Sequence, residues 1–75
     1  MQKYQNRGGN SNVIYFEIGQ DYIKIIFKNS SYPITYSYQS AGSLHVEKMK
    51  KFALYGIGLN SYILTKVKYD FDKTQ

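Results

Sequence analysis

The hydrophobic period changes once along this chain, and that change limits the fold more than any other feature. Up to residue 39 the apolar residues follow a strand period in three runs. Val13, Ile14, Tyr15, Phe16 and Ile18 are nearly continuous. Ile23, Ile25 and Phe27 alternate with Tyr22, Lys24, Ile26 and Lys28, and Tyr32, Ile34, Tyr36 and Tyr38 alternate with Pro33, Thr35 and Ser37. Gly19-Gln20-Asp21 and Asn29-Ser30-Ser31 are turn formers between the runs. Pro33 lacks an N–H for a ladder, so it belongs near a strand start or on an edge. Three strands joined by short turns make an antiparallel meander. From Leu44 to Tyr55 the spacing is helical instead. His45, Val46, Met49, Phe52 and Ala53 fall in one arc, with Glu47, Lys48, Lys50 and Lys51 outside it. Gly56 is a natural left-handed helix stop.

The stretch from Leu59 to Tyr69 fits two patterns. Leu59, Ile63 and Val67 are four apart, as in a helix. Ile63, Thr65, Val67, Tyr69 and Phe71 alternate, as in a strand. A short helix that becomes extended is the reading taken forward. The expectation is therefore an α+β fold: a three-stranded antiparallel β-meander, one amphipathic helix, and a short second helix or strand. The polar, glycine-rich residues 1–12 read as a flexible basic arm, residues 13–71 as one domain, and residues 72–75 as a tail. The sequence has 75 residues and no cysteine, so neither a disulfide nor a thiolate metal site is available. A domain this small needs tight packing, oligomerisation or both, and a homo-oligomer is expected.

Ten basic residues face five acidic ones, for a formal charge of +5. That balance favours anionic partners, although solubility alone accounts for a charge of this size. Nine tyrosines and four phenylalanines are more rings than a small core needs, which puts some at a ligand or an interface. No apolar run spans a membrane and residues 1–12 carry no apolar signal segment, so the expected location is the cytoplasm of a bacterial or infected host cell. The carboxylates show no ligand spacing, which argues against a metal. His45 is the lone histidine, with no nucleophile motif around it. No catalytic residue, metal or cofactor is assigned, and the chain is read as a binder and not an enzyme.

Two features point to a ligand. Gln39, Ser40, Ala41, Gly42 and Ser43 lead from a strand into a helix start, where free N–H groups, hydroxyls and the helix dipole favour an anion. Ordinary capping calls for the same residues. Strand alternation also puts Tyr36 and Tyr38 on one face, where paired rings either stack bases or pack beneath the helix. His45 and Lys48 follow on the helix, and Asn60 and Tyr62 are candidate second walls.

These residues resemble the KTSC domain, a short module found at the C-terminus of some lysyl-tRNA synthetases and as a stand-alone bacterial or phage protein. The resemblance rests on Tyr36-Ser37-Tyr38, on Ile18-Gly19-Gln20-Asp21, on the strand Ile23 to Phe27, and on Gly58-Leu59-Asn60 with Ile63. The Gln39 to Ser43 stretch departs from the family's usual Val-Pro approach to the helix. The resemblance implies the family's proposed RNA binding. The first expectation is a nucleotide-binding module, in its sharpest form a phage anti-defence protein whose oligomer sequesters a nucleotide immune signal. The alternatives are an RNA-binding module and a structural or protein-interaction protein.

Overall fold

The computed structural model describes residues 1–73. Its centre is the hairpin of β2 (Val13–Ile18) and β3 (Tyr22–Phe27), whose inward pairs are Phe16 with Ile25 and Ile18 with Ile23. Strict alternation cannot bury both Val13 and Phe16, which are three residues apart. The register shifts between Val13 and Tyr15, so one extra residue of β2 is absorbed as a bulge and both side chains face the core. That explains why the first apolar run is nearly continuous. The third strand, β4 (Ile34–Ser37), pairs antiparallel with β3 and sets Tyr36 against Ile23.

The fold is α+β, with four antiparallel strands in the order β1-β2-β3-β4. The additional strand is β1 (Gln2–Lys3), which pairs with Phe16 and Tyr15 of β2. In place of the flexible arm expected from the sequence, the chain lies against the sheet and the helices. Tyr4 is 2% exposed, its N–H donates to Ile14 O at 2.8 Å, and its hydroxyl accepts the Leu59 N–H at 3.2 Å. The sequence does not signal this, because Tyr4 stands alone among polar residues with no apolar period around it.

The strand expected over 32–39 ends early, because Tyr38 opens a single helical turn, α1 (Tyr38–Ala41). Ser37 Oγ accepts the Ser40 N–H and Ser40 Oγ accepts the Ser37 N–H, a reciprocal cap that bends the chain out of the sheet. After Gly42 comes α2 (Ser43–Tyr55), which buries Val46, Met49 and Ala53 against β3 and β4. Gly56 ends it at φ 79, in the left-handed region. A side chain there would also meet Gln5, whose Cβ lies 2.6 Å from the position of the missing Cβ. The N-terminal segment thus passes directly over the α2–α3 corner, and the Arg7 N–H donates to Gly56 O at 2.7 Å.

The final element is α3 (Leu59–Lys66). Leu59, Ile63 and Val67 are all buried, so the four-residue spacing governed and the strand alternative did not form. After Val67 the chain turns and runs beside β4, where the Asp72 N–H donates to Thr35 O at 2.7 Å. Of the expected tail, residues 74 and 75 lie outside the described residues. One core joins Tyr4, Phe16, Ile23, Ile25, Tyr36, Met49, Leu59 and Val67 between the sheet and the helices. Among the described residues no helix is long and apolar enough to cross a membrane.

Tyr4 gives a test of this arrangement. Tyr4→Phe removes the acceptor of the Leu59 N–H and should cost about 1 kcal/mol. Tyr4→Ala also empties a core position and should cost about 3–5 kcal/mol, enough to unfold much of a domain this small. Urea denaturation of both variants measures the difference.

Candidate functional site

The residues singled out in the sequence are distributed over four places. Tyr36 points inward, 2% exposed, with its ring edge-on to Phe71 at a centroid distance of 6.2 Å. It is core, and it offers no face to a base. Tyr38 lies at the surface on the other side of the bend. Its hydroxyl donates to the Glu47 carboxylate, and Lys50 Nζ lies 5.8 Å from its ring centroid. The two rings do not share a face, because the reciprocal serine cap ends strand alternation at Ser37.

Electrostatics at Tyr38 follow from these contacts. The hydrogen bond to Glu47, then partial burial, push the Tyr38 phenol up. Lys50, whose Nζ is 2.8 Å from Glu47 Oε2, then Tyr38, hold the Glu47 carboxyl below its usual range. Lys50 also donates to Gln20 O at 3.0 Å, and the Tyr38 N–H donates to Asp21 O at 2.9 Å. These bonds fasten α1 and α2 to the β2–β3 turn.

The expected anion cradle is not an open loop. Gln39, Ser40 and Ala41 are helical, and Ser40 uses both its N–H and its hydroxyl on Ser37. Gly42 is shared between the end of α1 and the start of α2, and Ser43 is exposed. Around the junction lie two open hollows of about 420 and 380 Å3. Asp70, Asp72 and Lys73 line the first, and Asp21, Lys24 and Asp72 line the second. Ser37 Oγ donates to Asp72 Oδ1 at 2.7 Å. Ser37 and Ser40 thus spend their donors on one another and on Asp72, which holds the turn closed. Sequence spacing gave no hint of this, because Asp72 is 35 residues from Ser37.

His45 and Tyr62 do meet. His45, in the first turn of α2, places Nδ1 2.6 Å from the hydroxyl of Tyr62 on α3. Phe52 completes the cluster, with its ring centroid 5.3 Å from that of Tyr62. Both members of the pair are half-buried, and burial pushes the Tyr62 phenol up. If the phenol donates to Nδ1, the ring proton sits on Nε2 and is the one donor that the pair leaves free. Neither Ser40 nor Ser43 hydrogen-bonds to His45 among the described residues. Lys48 is exposed one turn further along α2, about 60° around the helix from His45. Asn60 is elsewhere, beside the N-terminal segment, lining a hollow of about 220 Å3. Among the described residues no group of three His, Cys, Asp or Glu side chains is placed to hold a metal.

Comparison with protein-family models, with curated proteins and with solved structures gives no match for this chain.

The buried phenol of Tyr36 supplies a pH test. Burial first, then the Asp70 charge, push it up to about 12. An unfolded tyrosine ionises near pH 10. The folded chain holds this proton more tightly, so the stabilisation is complete below about pH 10 and is lost as the pH rises towards 12. Urea stability should fall by roughly 2–3 kcal/mol across that window, and Tyr36→Phe should flatten the fall.

Proposed function

We propose that this protein is a non-enzymatic binding module for a phosphate-bearing ligand, a nucleotide foremost, held where the start of α2 meets α3. The observation that carries the reading is the His45–Tyr62 pair, hydrogen-bonded at 2.6 Å and still partly exposed. The pair leaves one donor free beside a ring face, with the Lys48 ammonium a turn away.

The charge distribution supports the same place. Glu17 accepts from Tyr22, Glu47 is tied to Tyr38 and Lys50, and Asp21 and Asp72 flank the junction. Glu47 lies about 160° around α2 from His45. The first N–H groups of α2 carry no side-chain cap, and uncapped donors at a helix start favour an anion. Lys48, the His45 ring and these donors then act on one phosphate, while Tyr62 and Phe52 offer ring surface. The KTSC resemblance, with the nucleic-acid role it implies, is compatible with this surface.

A second reading, single-stranded RNA, has one observation in its favour. Lys51 and Tyr55, both exposed, continue the arc of Lys48 along α2, so the surface is longer than a mononucleotide requires.

Thermal shift with nucleoside triphosphates, cyclic dinucleotides, ADP-ribose and a short RNA separates the two. A nucleotide at a hundredfold its Kd adds about 2.7 kcal/mol, on the order of 10–20 °C for a domain of this size. His45→Ala and Lys48→Glu should remove most of that shift, and Lys51→Glu should spare it. RNA binding that is lost in Lys51→Glu, with no response to any small nucleotide, would reject the first reading in favour of the second. Light scattering on the same sample gives the oligomeric state.

A further inference from the structure

The N-terminal segment and the start of α3 do not close completely on one another. The hollow of about 220 Å3 between them is lined by Asn6, Asn10 and Ser11 on one side and by Ile57, Asn60 and Ser61 on the other. Its rims are tied at two points, where the Arg7 N–H meets Gly56 O and the Leu59 N–H meets the Tyr4 hydroxyl. Asn6 adopts a left-handed φ of 52, and its Oδ1 accepts the Ser11 N–H at 3.1 Å, which fixes the outer wall. The walls are therefore set by hydrogen bonds of the fold itself.

The chemistry of the lining is distinctive. Among the described residues no charged side chain lines the space. Three amides and two serine hydroxyls do, and an amide offers both a donor and an acceptor. Asn6 uses its carbonyl on Ser11 and keeps its NH2. Ile57 adds an apolar wall, its side chain 3.6 Å from where a Cβ on Gly8 would stand. A water occupies about 30 Å3 of liquid, so the hollow of about 220 Å3 corresponds to about seven waters, or to one ring-sized molecule.

We propose that this hollow is a binding site for a nucleobase. A base is neutral, planar and ring-sized, and its edge alternates donors with acceptors. Its face suits the Ile57 side chain and its edge suits the asparagines. A side-chain amide pairs bidentately with the N6 and N7 of adenine, so adenine is the preferred base. Phosphate finds no cation in the lining, and the site does not depend on the His45–Tyr62 surface.

The test is a titration of the full chain, followed by amide NMR, with adenosine, guanosine, cytidine and uridine. Glucose and inorganic phosphate are run beside them. Adenosine should shift the signals of Asn6, Asn10, Asn60 and Ser61 and leave His45 unmoved. Asn60→Ala and Asn10→Ala should each weaken it at least tenfold without lowering Tm. The proposal is overturned if no nucleoside binds at millimolar concentration, if glucose binds as well as adenosine, or if adenosine shifts His45 and Lys48 instead. Phosphate that leaves His45 and Lys48 unmoved counts against the phosphate-binding reading alone, because nucleosides carry no phosphate.

Discussion

The Tyr4 hydroxyl accepting the Leu59 N–H is the contact on which the rest of the architecture depends. It links the edge of the sheet to the first residue of α3 across 55 positions of sequence. α3 begins after a glycine and has no side-chain cap of its own, so the phenol satisfies a donor that its own helix leaves open. The ring also fills the core beside Val13 and Leu59. Burying a side chain of this size is worth about 1.5–3 kcal/mol, a large share of the stability of a domain without disulfides. Through this one residue the N-terminal segment becomes part of the hydrophobic core, and the α2–α3 corner is held in register with the strands.

The same corner explains why the two candidate surfaces lie where they do. Gly56 permits the tight passage of Gln5, and that passage sets the N-terminal segment against the start of α3. The neutral hollow opens there. On the other flank of α3, Tyr62 reaches across to His45 and Phe52. One helix of eight residues thus turns Asn60 and Ser61 to the neutral hollow and Tyr62 to His45 of α2.

How far the sequence could be read depended on whether a contact was local. β2, β3 and α2 follow from the spacing of their own apolar residues, and the Gly56 stop from its position after Tyr55; the spacing at α3 fitted a helix and a strand alike. β1 could not be read this way, because two exposed residues have no period and Tyr4 acts through a distant partner. The shortening of β4 was written in Ser37 and Ser40, a serine pair with capping spacing, but the strand alternation of Tyr36 and Tyr38 masked it. Candidate site residues were hardest to place. A serine-rich turn before a helix looks like an anion cradle until Ser37 and Ser40 are seen to bond to one another and to Asp72, and only the fold brings Asp72 there. The His45–Tyr62 contact was equally hidden, since it joins two helices. Gly19 was legible as a turn residue, yet its stricter role is steric: a Cβ there would lie 2.0 Å from the Tyr22 ring.

The run of chain after Val67 has a consequence for association between copies. An open sheet exposes unpaired N–H and C=O groups at its edges, and long edges recruit strands from other chains. Here one edge is the two residues of β1. The other, β4, has its Thr35 carbonyl taken by the Asp72 N–H, its Ser37 hydroxyl turned to Asp72, and Phe71 packed on Tyr36. A few C-terminal residues, without forming a strand, cover part of this edge. The sheet is thereby partly covered at one side and cut short at the other, which leaves little edge for a shared backbone ladder.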